Sequence, residues 1–298
     1  MLPALLPLLL SVLAQSSAAP PVPPAPSYVP VRVYDAAAGQ FVDFEVMLAA
    51  ISKVDVVFVG EQHDDPNTHR LETAILDGLH RRKRAPVVSL EMFERDVQGV
   101  LDSYLAGRTT EEALLKTSRP WPRYATDYRP IVETARQRGW PVIASNLPRR
   151  IASAVAKSGK DAIAQLPDTD RTLIAREVEC PPDRYFERFS ETMSDHPAGT
   201  QTADEKRAMT ERYYFAQCVK DETMAESIAT AASGYGPVVH FNGAFHSDFG
   251  LGTAERVRRR APGKRVVVIS MLPVADLDGL APAGDDLNRA NYLVYTIK

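Results

Sequence analysis

The chain has 298 residues, 45% of them hydrophobic, enough to bury one large core or a core with a smaller attachment and too apolar for a disordered chain. Its 35 basic and 38 acidic residues leave a formal charge of −3, so charge gives no reason to expect a nucleic-acid partner. The first residues, MLPALLPLLLSVLAQSSAAP, hold an apolar stretch from Leu2 to Ala14 that is too short to span a bilayer and is followed by small residues. This reads as a signal peptide over 1–19, although no Lys or Arg precedes the stretch and Pro3 and Pro7 interrupt it. An exported protein of the periplasm or cell envelope is expected. No Cys lies near the cleavage region, so a lipoprotein is not. Residues 20–30, PPVPPAPSYVP, are too proline-dense for helix or central strand and read as an extended tether.

Short β-branched runs then alternate with helical patterns: VDVVFVG (54–60), APVVSLEM (85–92), PVIASN (141–146), PVVHFNG (237–243), RVVVISML (265–272) and NYLVYTI (291–297). Near-continuous hydrophobicity is what strands buried on both faces require, which predicts a doubly wound α/β fold with a mostly parallel sheet flanked by helices. After the first run, Asp65 caps a helix with Pro66 in its first turn and an apolar stripe of Leu71, Ala74, Ile75, Gly78 and Leu79. Between the third and fourth runs no convincing strand occurs, and the capping box Thr202-x-x-Glu205 opens a helix running to about Ser233. The predicted organisation is a sheet domain over 31–149 and 236–298 and an inserted, smaller, all-helical subdomain over 150–235. Cys180 and Cys218 are an even pair, open to a disulfide or to two buried thiols, with no metal-site spacing.

Ligands of an open parallel sheet sit beyond the carboxyl ends of its strands. Those ends deliver GEQHDD, LEMFER, SNLPRR and NGAFHSDFG, and with them Glu61, His63, Glu91, Asn146 and His246, the residue types of a metal or general acid/base site. The first and fourth ends are alike, Gly60 to His63 and Gly243 to His246. A glycine that turns the backbone sharply would let each imidazole swing back over the sheet edge. Charged groups at the end of a buried strand incur desolvation costs that structure alone seldom needs, which favours function for Glu61, His63 and His246. His69 is expected either in the same cleft or in water; His80, His196 and His240 are expected to be structural or solvated. On the long helix Gln217, Asp221, Met224 and Ile228 share a narrow sector, open to a satisfied core role or to a polar group aimed into a cleft.

Aromatic residues crowd WPRYATDYRP, with Trp121, Tyr124 and Tyr128, and recur at Tyr185, Phe186, Phe189 and 213–215. Walls of this kind suit a flat hydrophobic cofactor, and they are also ordinary core. A Gly-x-Ser-x-Gly elbow, a His-Glu-x-x-His helix, a Walker loop and a Cys-x-x-Cys pair are all missing from the sequence. The basic run ERVRRR, 255–260, reads as a solvated helix face.

VFVGEQHDDPNTHRLE, VVSLEMFERDVQ, WPRYATDYRPIVETARQRGWPVIASNLPRR, QCVKDETMAESI and VVHFNGAFHSDFGLG together resemble the ChaN-like haem-binding uptake proteins, within the wider superfamily of the Tiki metalloproteases and erythromycin esterases. The likeness covers about residues 45 to 275. It implies a parallel-sheet domain with a smaller helical domain, export, haem binding linked to iron acquisition, a homodimer, and an outer-membrane or envelope uptake partner. It carries the family's Gly-Glu-x-His onto Gly60, Glu61 and His63, its Gly-x-x-His onto Gly243 and His246, and its Leu-Glu-Met-Phe onto Leu90 to Phe93. Two readings follow. In a haem-binding protein, a Tyr or His meets the iron, with His63, His246, Tyr124, Tyr128 and Tyr213 as candidates. In a hydrolase, Glu61, His63, Glu91 and His246 are catalytic, either as general bases or with a divalent metal on Glu61, His63 and His246. A helper domain with neither ligand nor activity is the third option.

Overall fold

The computed structural model describes residues 30–194, 202–234 and 236–298, so the expected signal peptide, the tether before Pro30 and His196 lie outside the described residues. Eight strands, β1 (Val31–Asp35), β2 (Gln40–Val42), β3 (Val56–Glu61), β4 (Val87–Glu94), β5 (Val142–Asn146), β6 (Val238–Gly243), β7 (Val266–Val274) and β8 (Tyr292–Ile297), form one sheet in the spatial order β2-β1-β8-β7-β3-β6-β4-β5. The six strands from β3 to β8 pair in parallel. These are the six runs read from the sequence. The β1–β2 hairpin, absent from that reading, pairs antiparallel at one edge, where only Val33 of β1 is buried. A strand with one buried face carries no continuous apolar run to announce it.

Helices α1 (Phe44–Ile51), α2 (Pro66–Arg81), α3 (Gln98–Leu105), α4 (Glu111–Ser118), α5 (Tyr124–Asp127) and α6 (Arg129–Arg138) precede β5. Helices α7 (Arg149–Ser158), α8 (Asp161–Ala164), α9 (Asp168–Arg171), α10 (Arg184–Ser194) and α11 (Ala203–Ala232) separate β5 from β6, and α12 (Gly252–Arg260) follows β6. Alternate residues of β3 serve opposite faces, as the two-residue strand period requires. Val57 and Val59 pack with Leu48, Leu71, Ile75 and Leu79 of α1 and α2, while Val56 and Phe58 pack with Ala225, Ile228 and Val257 of α11 and α12. Each fully buried aliphatic side chain stabilises the fold by roughly 1.5–3 kcal/mol, and helices on both faces bury every residue of β3.

Both helix starts follow the sequence. Asp65 accepts hydrogen bonds from the Asn67 and Thr68 amides with Pro66 in the first turn of α2, and Thr202 and Glu205 form a reciprocal capping box on α11. The basic run on α12 departs from the solvated face expected of it. Arg256 is 2% exposed and sets its Nε 3.2 Å from Glu222 Oε1 on α11, with Arg259 and Arg260 on the same carboxylate. Four like-charged residues within six positions look solvated until a buried acid on another helix collects three of them.

Cys180 and Cys218 form a disulfide that ties the segment before α10 to the middle of α11, across a sequence separation of 38. A bond closing a loop of this length contributes roughly 2–4 kcal/mol. Changing both cysteines to serine is therefore expected to lower the unfolding free energy by about that amount in urea titrations.

Candidate functional site

The register of β3 and β6 sets Glu61 beside Gly243, bringing the two Gly-x-x-His ends next to each other at the carboxyl rim of the sheet. The glycines serve close approach and not the sharp turn expected of them, since neither adopts a positive φ. A Cβ on Gly60 would lie 3.0 Å from Ala244 Cα and 3.1 Å from Ser247 Oγ. One on Gly243 would lie 2.7 Å from His63 Nε2. His63 thus leans its imidazole over the β6 end while its Nδ1 donates to Glu61 Oε1 at 2.5 Å, and Tyr128 donates its hydroxyl to the same oxygen at 2.9 Å. Burial disfavours protonation of His63, but its hydrogen bond to Glu61 and the charges of Glu61 and Glu91 raise its pKa above the ordinary value. Because His63 is half exposed, Gly243→Ala is expected to push the ring aside at a cost under about 1 kcal/mol. The sign of its pKa change is downward, away from Glu61, and a histidine NMR titration reads it.

Across the same rim, β4 carries Glu91. Its pairing with β5 shifts register between Leu90 and Glu94, an irregularity of the kind that re-aims a side chain. Glu91 Oε2 accepts the Gly243 amide at 2.8 Å, and its Oε1 lies 3.2 Å from His246 Nε2. His246 Nδ1 donates to Asp221 Oδ1 on α11 at 2.7 Å, and Asp221 also accepts from Thr253 at 2.6 Å and from Tyr185 at 2.8 Å. The three ionisable groups are buried. Burial alone would discharge His246, yet the Glu91 and Asp221 carboxylates outweigh it and push its pKa up to about 10. Against the same burial, His246 holds both Glu91 and Asp221 below their usual values. His246 is therefore held between two carboxylates that favour its protonated form.

A second ionisable cluster adjoins the first through Glu61. Its other oxygen, Oε2, lies 3.6 Å from His69 Nδ1, which also meets Glu72 Oε2 at 3.0 Å, while His69 Nε2 lies 3.4 Å from Asp127 Oδ2. His69, expected in the cleft or in water, is 3% exposed. Burial and the neighbouring Glu61 carboxylate push Glu72 well above the carboxylate range. Among the described residues, the three groups whose ligand atoms all approach within 4.8 Å are Glu61, His69 and Glu72, and not Glu61, His63 and His246.

Glu61, His63, Gly243, His246, Arg188 and Arg289 line one cleft of about 360 Å³. An adjoining cleft of about 320 Å³ is lined by Trp121, Asn146, Leu147, Arg149, Ala152, Ala156, Phe189, Tyr213 and Lys220. Trp121 also meets the His63 ring edge-on, with centroids 5.1 Å apart. Asn146 spends its side chain on the Glu91 carbonyl and the Leu147 amide, which fixes the chain behind Glu91. Tyr124 packs on Phe93 in the core, away from both clefts. His240 is buried against Ser89 with its pKa lowered to about 3 by burial, hence neutral, and His80 is exposed against Trp140. The sequence reading left Asp221 open and did not weigh Glu72, Asp127 or Thr253. The one available signal was the His69-x-x-Glu72 spacing, which sets both side chains on one side of α2.

Fold and site together define a parallel α/β protein whose carboxyl rim gathers carboxylates and imidazoles beside an aromatic-walled cleft. The profile of the family described as haem-binding uptake, Tiki superfamily, ChaN matches residues 47–257, and the chain belongs to that family. Among solved structures it is similar to the ChaN of Campylobacter jejuni, described for its cofacial haem binding, at 16% identity and a TM-score of 0.66 over 90% of this chain and 97% of that one. That likeness shows a shared fold. It is also similar, with TM-scores of 0.48 and 0.47, to a Bacillus cereus protein (13% identity, 77% and 68% of the two chains) and to an erythromycin esterase mutant in its open conformation (12%, 90% and 83%). No curated protein matches the sequence.

Proposed function

We propose that this chain is an exported haem-binding protein serving haem and iron acquisition, with haem held where the carboxyl rim of the sheet meets α7, α10 and α11. The observation that carries this reading is which candidate ligands keep a reachable donor atom. Haem needs an apolar slot with a ligand atom on its wall. Tyr124 is sunk in the core, the Tyr128 hydroxyl is bonded to Glu61, and His246 has both nitrogens on carboxylates. Tyr213 is 42% exposed and the His63 side chain 46%. Tyr213 stands in the cleft walled by Trp121, Phe189, Leu147, Ala152 and Ala156, with Arg149 and Lys220 placed to receive propionates. In this reading the Tyr213 phenolate meets the iron, and His63 lies beyond Trp121. At about 320 Å³ the cleft is at the small end of ligand pockets, so a porphyrin held there stays partly exposed.

That exposed face is where a second copy would pack in a homodimer, and helices α7, α10 and α11 build one wall of the cleft. The Cys180–Cys218 disulfide supports a site of action in the periplasm or cell envelope, beside an uptake partner there, because disulfides persist in oxidising compartments. Hemin added to the purified protein is expected to shift the Soret band to saturation at a defined stoichiometry. An unaltered spectrum at micromolar protein contradicts the reading.

A second reading rests on the Glu61–His63 pair. A carboxylate on Nδ1 and an Nε2 at a cleft is the arrangement of a general base. The cleft also holds Arg188, which stacks on Phe249 and has no ion pair among the described residues, so it fits an anionic substrate. Ester and peptide substrates turned over by the wild type and not by His63→Ala support a hydrolase; equal residual rates in both exclude it.

A further inference from the structure

Glu61 has two differently used carboxylate oxygens. Oε1 takes the hydrogen bonds of His63 and Tyr128, whereas Oε2 faces His69 and has no hydrogen-bond donor. Glu72 Oε1 is likewise without a donor. Glu61 is 1% exposed and Glu72 is fully buried, so these oxygens have no solvent to fall back on. Asp127 adds a third carboxylate on His69 Nε2, and its own cation, Arg123, lies on the same oxygen at 2.8 Å. Asp65, the remaining nearby acid, is used up in capping α2. Three carboxyl groups thus converge on one buried imidazole, and two of their oxygens have no donor.

We propose that Glu61, His69 and Glu72 bind a divalent first-row transition cation, of the zinc or manganese class, in a buried site on the far side of Glu61 from His63. The donor set of two carboxylates and one imidazole suits those ions. Ligands about 2.1 Å from a tetrahedral cation lie roughly 3.4 Å apart, and the separations of 3.6 Å and 3.0 Å about His69 Nδ1 bracket that spacing. The cation takes up the orphaned Glu61 Oε2, offsets the like charges and displaces to solvent any proton shared between Glu61 and Glu72. It ties the first turns of α2 to the end of β3 and fixes the Glu61 carboxylate whose opposite oxygen holds His63. The inference does not rest on haem binding.

The test uses the full chain, stripped with chelator and titrated separately with Zn²⁺ and Mn²⁺ by calorimetry, with metal content measured after gel filtration. About one equivalent of one of the two ions should bind to the wild type and raise its melting temperature. Glu72→Gln, with its fold checked by circular dichroism, should weaken binding by more than the roughly 10–100-fold that loss of an outer-shell partner causes. His63→Ala should keep the ion. His69→Gln carries the same comparison if Glu72→Gln does not fold. A wild type that binds neither ion overturns the proposal in favour of a proton shared by two carboxyls. Equal binding in wild type and Glu72→Gln, or loss in His63→Ala, overturns it in favour of a metal elsewhere.

Discussion

Asp221→Ala lowers the unfolding free energy by about 3–5 kcal/mol, the cost of leaving one member of a buried ion pair without its partner. The expectation comes from three bonds that converge on one carboxylate, from His246 in the segment before α12, Thr253 on α12 and Tyr185 on α10. Asp221→Asn keeps the size and some of the hydrogen bonding but removes the charge, so it falls between wild type and alanine. In that variant the His246 pKa drops, because one of the two carboxylates that raise it is gone. Tyr213→Phe, on the exposed wall of the cleft, stays within about 0.5 kcal/mol and serves as the control. Urea titrations with unchanged slope give these values. A loss under about 1 kcal/mol for Asp221→Ala would show that the pair contributes nothing net.

The same cluster sets the pH dependence. His246 rises from 6.5 to about 10 on folding, which corresponds to roughly 5 kcal/mol of linked stability as an upper figure. With a folded value above the unfolded one, that contribution is complete below about pH 6.5 and disappears as pH climbs towards 10. Glu91 and Asp221 have folded values below their unfolded ones, so their contribution is present above about pH 4.5 and is lost as pH falls further. Glu72 works in the opposite sense: with its folded pKa raised, it weakens the fold progressively as pH rises above 4.5. Stability should therefore be greatest between about pH 4.5 and 6.5 and fall on both sides. The alkaline fall should shrink in Asp221→Asn. An alkaline limb equally steep in the variant would remove His246 as its source.

The parallel sheet was legible because helices cover both of its faces, which forces long apolar runs such as VDVVFVG. The β1–β2 hairpin was not, since an edge pair buries little and its pattern is short. At the rim, chemistry-bearing residues within a few positions of a strand end could be placed: the structure sets Glu61, His63, Glu91 and His246 together there. What escaped depends on distance in the chain. Asp221 meets His246 only because α11 crosses the rim, 25 positions earlier in the sequence. Arg256 looked solvated because nothing in ERVRRR points to Glu222. Glu72 went unweighed because a lone acid on a helix carries no mark of burial, and its burial follows from α2 resting on β3. The glycines were placed correctly for the wrong reason. They admit Ala244 and the His63 ring and do not turn the chain.

Why a member of a haem-binding uptake family keeps so many ionisable groups at its rim follows from a division of labour. Glu91, His246 and Asp221 lock the ends of β4 and β6 to α11, and α11 in turn presents Tyr213 and Lys220 to the cleft. The buried network thus positions the wall on which the proposed haem ligand, Tyr213, stands outside the network.

Hemin titration of wild type, Tyr213→Phe and His63→Ala side by side, followed by absorbance and resonance Raman, probes that wall. The expected outcome is saturable binding with an iron–phenolate signature in the wild type and in His63→Ala, and loss of that signature in a folded Tyr213→Phe. Identical spectra and affinities for wild type and Tyr213→Phe would contradict it.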